Sequence, residues 1–311
     1  MARRKIRRLI RRGGGALRIT PDRRFSLSQR IWYFFRRRGK VANCLLKSKI
    51  ALKTTKYATP PIFEVGFSIR TGSAGMVDPY DVRSLHELYR AELPQVQRQL
   101  PIGPGGDGSM IQITSPDDDH QRWWFVSEDN HTLAQFQTNF VGRNWRREAL
   151  PPGQGAAYPG YTRLATDFRD QVARLEAHLL ASGREMPKPV SADMFFDNMI
   201  PFGPGIRLRD IVQPIQFDPP FQIVGFNCSW KEGLVADLPT DDSFLQVEMR
   251  SVGAGLKDEP IRSFLRLRFV ARHIVESVDS AMAFFDEAHT LVHRRLLELT
   301  TPECRTTWGK L

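Results

Sequence analysis

His289 and His293 stand four residues apart, the spacing that sets two imidazoles on one side of a helix, as zinc-binding pairs require. Threonine, Thr290, occupies the place where an HExxH motif carries its glutamate, so the general base of a metalloprotease is missing. His289 also falls on the apolar stripe of its helix. That favours a packed core histidine over a ligand and leaves the pair a weak metal candidate. Asp193 and Asp197 lie on one side of one predicted strand. Four residues at about 3.3 Å each separate them by roughly 13 Å, too far to share a proton.

Arg266, Arg268 and Arg272 recur on one side of another predicted strand, opposite Leu265, Leu267, Phe269 and Ala271. Such a row suits a readout face for nucleic acid or an acidic partner. The competing reading is a solvated sheet surface whose charges pair across strands with Glu248 and its neighbours. A second basic set, Arg3, Arg4, Arg7, Arg8, Arg11 and Arg12 with Arg36, Arg37 and Arg38, sits near the N-terminus. The glycines between Gly103 and Gly108 lack the lysine of a phosphate-binding loop, and Asp117, Asp118 and Asp119 lack the alternation of a calcium loop. No nucleophile elbow, Rossmann fingerprint or kinase signature occurs. The pattern assigns no catalytic residue, no cofactor and no metal.

The elements that must position these residues begin near Pro60. Phe63, Val65, Phe67 and Ile69 alternate with polar or small residues, as in a half-buried strand. Asp78 and Pro79 start a helix that Pro94 stops. Strands over 122–127 and 132–138 form a hairpin about Glu128, Asp129 and Asn130, and a strand over 140–147 extends it. Its Trp123, Trp124, Phe125 and Phe136 could anchor a partner, though at least half of them suit the core. Leu164, Phe168, Val172, Leu175 and Leu179 mark a long helix.

The order then repeats: a strand from Val190 to Phe196, a helical turn near Leu208, and strands over 221–231, 243–253 and 262–275. A closing helix buries Met282, Phe285, His289, Val292, Leu296 and Leu299. These elements predict an α+β protein: antiparallel sheet covered by helices on one face, in two similar strand–helix–strands–helix halves, 58–185 and 186–311.

Before them, residues 1–57 carry nineteen lysines and arginines and a single acid, Asp22, whereas the remainder holds 26 basic against 33 acidic residues. The high isoelectric point therefore belongs to this leader. It reads as a disordered basic arm open to three roles: nucleic-acid binding, contact with an anionic membrane surface through the cluster from Ile31 to Phe35, or an upstream extension outside the functional unit. No apolar run reaches the length of a membrane span, and the leader lacks the apolar core of a signal peptide. Cys44, Cys228 and Cys304 fit neither a disulfide framework nor a metal clip, which points to reduced thiols in the cytoplasm.

Several short stretches in order carry a resemblance. Residues 57–65 (Tyr-Ala-Thr-Pro-Pro-Ile-Phe-Glu-Val), 125–129 (Phe-Val-Ser-Glu-Asp), Asn144-Trp145-Arg146, Tyr158-Pro159-Gly160-Tyr161 with Phe168, Asn198-Met199-Ile200-Pro201, Leu208-Arg209-Asp210, Leu299-Thr300-Thr301 and Trp308-Gly309 are similar to a sporadically distributed, uncharacterised conserved-hypothetical family of bacterial and archaeal proteins. The similarity covers about residues 57–310 and departs over 1–53. It implies a cytoplasmic prokaryotic protein with no activity to carry over, and its patchy occurrence suggests a defence or toxin–antitoxin-like context. The expectation is a non-catalytic macromolecule-binding protein with a protein partner. The alternatives are a nucleic-acid-binding protein using the leader with Arg266, Arg268 and Arg272, and a metal-dependent hydrolase.

Overall fold

The computed structural model describes residues 57–101, 121–147, 156–202, 208–213, 227–234, 242–254 and 262–309. The chain divides into units 1–51 and 52–311, the first lying outside the described residues. In the second, nine strands form a single sheet: β1 (Ile62–Thr71), β2 (Gln95–Gln99), β3 (Arg122–Val126), β4 (Thr132–Gln137), β5 (Phe140–Arg146), β6 (Pro189–Phe202), β7 (Asn227–Glu232), β8 (Phe244–Ala254) and β9 (Arg262–Ile274), in the spatial order β2-β3-β4-β5-β1-β6-β9-β8-β7. Every neighbouring pair is antiparallel.

This corrects the expected fold class. One large antiparallel sheet dominates, with few helices, in place of two helix-covered halves. β1 and β6, which begin the two expected halves, are hydrogen-bonded to each other from Ile62↔Asn198 to Thr71↔Pro189 and make the middle of one ladder. Period-two alternation identifies a strand but says nothing about which strand it will join, so halves and a continuous sheet look alike in sequence.

Among the described residues five helices accompany the sheet: α1 (Val82–Glu87), α2 (Tyr161–Ala181), α3 (Leu208–Ile211), α4 (Val278–Leu299) and α5 (Pro302–Thr306). The helix expected from Asp78 to Pro94 is shorter than its pattern, because a 3₁₀ turn at Pro79–Asp81 precedes α1 and strand β2 follows Pro94. The two long helices, α2 and α4, bury their apolar stripes on one face of the sheet. Phe67 of β1, Phe168 of α2 and Phe285 of α4 meet with ring centroids 5.3–5.9 Å apart. Each such fully buried ring contributes about 1.5–3 kcal/mol. A capping box between Ser277 and Ser280 starts α4. The ends of the unit close on each other, with Ala58 N donating to Gly309 O at 2.7 Å and Tyr57 edge-on to Trp308.

Candidate functional site

Because side chains alternate along a strand, every strand that buries apolar groups under α2 and α4 presents its other residues on the second face. Across the central strands those residues are charged. Asp197 of β6, only 1% exposed, accepts two hydrogen bonds from Arg266 Nε of β9, at 2.8 and 2.7 Å, and a further one from the same guanidinium. Burial works against the charge of Arg266, and its bonds to Asp197 more than offset this, so its pKa lies above the ordinary value. Asp193, two pleat repeats away on the same side, accepts from Arg272 Nε and lies 3.7 Å from Arg70 Nε of β1. The two aspartates thus hold separate arginines, consistent with the distance that the strand geometry puts between them.

A chain of hydrogen bonds crosses the rest of this face. Trp124 Nε1 and an Arg122 terminal nitrogen, both on β3, donate to Gln135 Oε1 at 3.1 Å each. Gln135 Nε2 donates to Asn144 Oδ1 at 2.8 Å, and Asn144 Nδ2 donates to Glu64 Oε1 at 2.7 Å. Glu64 pairs in register with Asp197, beside a register irregularity of β1. Burial pushes the Glu64 carboxyl upward and Asp197 adds to this, against the Asn144 bond and the nearby Arg268 and Arg146.

Aromatic rings complete the face, each under a cation. Arg122 and Arg146 lie 5.2 and 5.9 Å from the Trp124 ring, Arg70 lies 5.1 Å from Phe140, and Arg268 lies 5.0 Å from Phe195. Lys231 and Arg272 lie 4.1 and 5.6 Å from Phe244. Two glycines make room for this layer. A Cβ on Gly66 would meet the Phe195 ring at 2.2 Å, and one on Gly142 would meet Phe140 at 2.9 Å. Glycine here serves close approach of a ring to the backbone.

The face is not the free surface that alternation suggests. Arg268 and Arg272 are 6% and 9% exposed, and β1 is buried from Val65 through Thr71. Two of the row on β9, Arg266 and Arg272, pair with Asp197 and Asp193 of β6, while Arg268 lies opposite Glu248 of β8 in register. The accessible cations lie to either side of this centre: Arg122 and Arg146 are half-buried near Trp124, and Lys231 and Arg250 are exposed on β7 and β8.

The histidine pair behaves differently. The His289 ring stacks flat on Tyr161, with centroids 3.9 Å apart, and burial with help from His293 pulls its pKa down to about 4. Tyr161 donates its hydroxyl to Asp286 at 2.8 Å. Among the described residues no group of three or more His, Cys, Asp or Glu could hold a metal ion. In the hairpin, Phe125 and Phe136 are in the core while Trp123 and Trp124 are half-buried. The leader arginines Arg3, Arg4, Arg7, Arg8, Arg11, Arg12, Arg36, Arg37 and Arg38 lie outside the described residues, as do the glycine loop at 103–108 and Asp117, Asp118 and Asp119. Among the described residues no helix is long and apolar enough to cross a membrane.

Sequence reasoning passed over Arg122, Gln135, Asn144, Arg146 and Glu64. Alternation within β3 places Arg122 beside Trp124, within β5 it places Asn144 beside Arg146, and the expected hairpin with its extending strand sets these two strands on either side of β4, but the polar residues were not read as one site.

Comparison with known proteins adds little. No family model and no solved structure matches the chain. Ribosome-recycling factor from two strains of Lactobacillus delbrueckii subsp. bulgaricus is 27% identical over 113 residues, which is 36% of this chain and 59% of that protein. The chain thus spans less than two thirds of the length of the curated relatives it matches.

Proposed function

We propose that this protein is a non-catalytic binding protein that takes an anionic macromolecule on the polar face of its sheet. One observation carries the reading. Among the described side chains, eight cations (Arg70, Arg122, Arg146, Lys231, Arg250, Arg266, Arg268 and Arg272) share that face with four carboxylates (Glu64, Asp193, Asp197 and Glu248). Outside the leader the chain is acidic, with 26 basic against 33 acidic residues, so this face reverses the local sign. A concentrated positive field on an acidic body steers and orients a polyanion.

We place the protein in the cytoplasm, where Cys228 and Cys304 remain free thiols. The likeness to ribosome-recycling factor points, by that protein's name, toward the ribosome, but over 36% of the chain it supplies no surface or residue to argue from.

The test is the salt dependence of binding to a labelled oligothymidylate by the full chain. Replacing Arg122, Arg146, Lys231 and Arg250 together by glutamine is expected to flatten the slope of log K against log salt by roughly 2–3, at about 0.7 per lost phosphate contact. The leader's own contribution persists in both proteins and cancels. An unchanged slope removes the sheet face from binding.

A further inference from the structure

We infer that the anionic partner is a single-stranded nucleic acid, and that Trp124 with Arg122 and Arg146 forms the subsite for one nucleotide, the base on the indole and the phosphate on the guanidinium groups. This rests on the reading that the polar face binds a polyanion, and it identifies which polyanion.

The three side chains differ from the centre of the face in what they leave unused. Arg266 and Arg272 are bound to Asp197 and Asp193. Arg122 and Arg146 stand in no ion pair with any described residue. Arg122 bonds Gln135 through one terminal nitrogen, its buried Nε has no hydrogen-bond partner, and Arg70, a like charge, acts on it. Arg146 gives its Nε to the Asn130 carbonyl. Arg146 faces the Glu64 carboxyl in register without an ion pair, and burial pushes that carboxyl toward its neutral form. Two half-buried guanidinium groups near one ring thus share at most one carboxylate and are a site short of an anion.

The ring decides which anion. The face of an indole is electron-rich, so it takes a cation or another flat π-system and gains nothing from a carboxylate. An acidic peptide would engage Arg122 and Arg146, which lie over the Trp124 ring, and give the ring nothing in their place. A nucleotide uses both, because its phosphate and base lie at a spacing that separates charge from stacking. A duplex keeps its bases stacked inside and cannot offer one to the ring, which leaves a single strand. The strand beside Trp124 suits this. Gln97 of β2 is its register partner, and Gln95 and Gln99 flank it on the same face, three amides that can donate to and accept from base edges. With only five residues, β2 borders the sheet in the described structure, so a strand of nucleic acid can lie along it.

The experiment compares the full chain on an oligothymidylate and on an abasic strand of the same length. The leader reads phosphates, which both strands share, so it cancels in the ratio. We expect the base-bearing strand to bind roughly five- to a hundred-fold more tightly, the effect of stacking one base on an aromatic side chain. Trp124→Ala should bring the ratio to near one and Trp124→Phe should keep part of it, with circular dichroism confirming that both variants fold. Arg122→Gln with Arg146→Gln should weaken both strands and leave the ratio in place.

A wild-type ratio near one overturns the inference, as does a ratio that Trp124→Ala leaves unchanged. If in addition polyglutamate displaces the abasic strand as effectively as oligothymidylate does, the partner is an acidic protein and the polyanion reading stands without its nucleic-acid identity. Loss of the face's contribution to the salt slope removes that reading itself and is scored separately from the base preference.

Discussion

Arg266 and Arg122 share one face of one sheet, yet their surroundings are opposite. Arg266 is clamped by a nearly inaccessible Asp197, and its pKa is raised. Arg122 has no carboxylate within reach among the described residues, and burial together with Arg70 pulls its pKa down to about 10. The first arrangement holds strands together. The second keeps a charge in a costly place without an internal partner, which is how a residue retained for a ligand looks. The centre of the polar face is therefore architecture and its β3–β5 flank is the proposed binding surface, although sequence singled out the centre.

The sharpest way to break that contrast is to remove Asp197. Asp197→Ala leaves Arg266 charged and half-buried without its bonded counter-ion, only Glu64 and Glu248 still acting on it, a change expected to cost about 3 kcal/mol. Urea denaturation should show it as a large fall in midpoint. Replacing both partners together, Asp197→Leu with Arg266→Met, should recover most of the loss, because the uncompensated charge goes with the pair. A small effect of Asp197→Ala alone would return the central row to the list of functional candidates.

Gly66→Ala tests the aromatic layer between centre and flank. The added methyl lies 2.2 Å from the Phe195 ring, and overpacking of this kind costs about 1–3 kcal/mol. In Phe195→Ala the same glycine substitution should be close to neutral, so the coupling appears in a double-mutant cycle. Additive effects would mean that the ring does not rest on this backbone.

Much of this architecture was legible. Leu265, Leu267, Phe269 and Ala271 alternate with arginines as strongly as any strand in the chain, and all four are buried as expected. β2 was not legible, since Gln-Val-Gln-Arg-Gln holds a single apolar residue and owes its strand form to pairing with β3. The Trp124 site was hidden by its own neighbours: Trp123, Trp124 and Phe125 form an unbroken aromatic run that masks the period of two. Burial of the charged centre was invisible for another reason. A polar position in an alternating strand reads as solvent-facing, whereas here carboxylates and guanidinium groups from β1, β6 and β9 satisfy one another. The engagement of Asp193 and Asp197 with separate arginines agrees with their spacing, whereas His289, expected on the buried stripe, is only half-buried.

His289 and Glu64 give the two faces opposite pH signatures. His289, on the helix side, has a folded pKa of about 4 against an ordinary value of 6.5. Its stabilisation is therefore complete above about 6.5 and is lost as pH falls toward 4. Glu64, on the polar side, has its folded pKa raised above 4.5, so its contribution is complete below about 4.5 and is lost as pH rises through the raised value. Denaturation midpoints measured across pH 4–7 should become flatter on the acid side in His289→Gln, and Glu64→Gln should remove the loss on the neutral side. A Glu64→Gln profile that matches the wild type would mean that this carboxyl is ionised in the fold throughout.

The smallest expected effect is the most informative about the flank. Arg122→Gln removes a guanidinium that burial and Arg70 both disfavour, and it forfeits one hydrogen bond to Gln135 Oε1. That oxygen keeps its bond from Trp124 Nε1 at 3.1 Å, so no buried acceptor is orphaned. Gain and loss are of similar size, and the stability change should stay within about 0.5 kcal/mol in either direction by urea denaturation. The contrast with Asp197→Ala then separates a charge that the fold depends on from one that it merely tolerates. A loss above about 2 kcal/mol would show that Arg122 holds the hairpin to the sheet, and the difference between centre and flank would vanish with it.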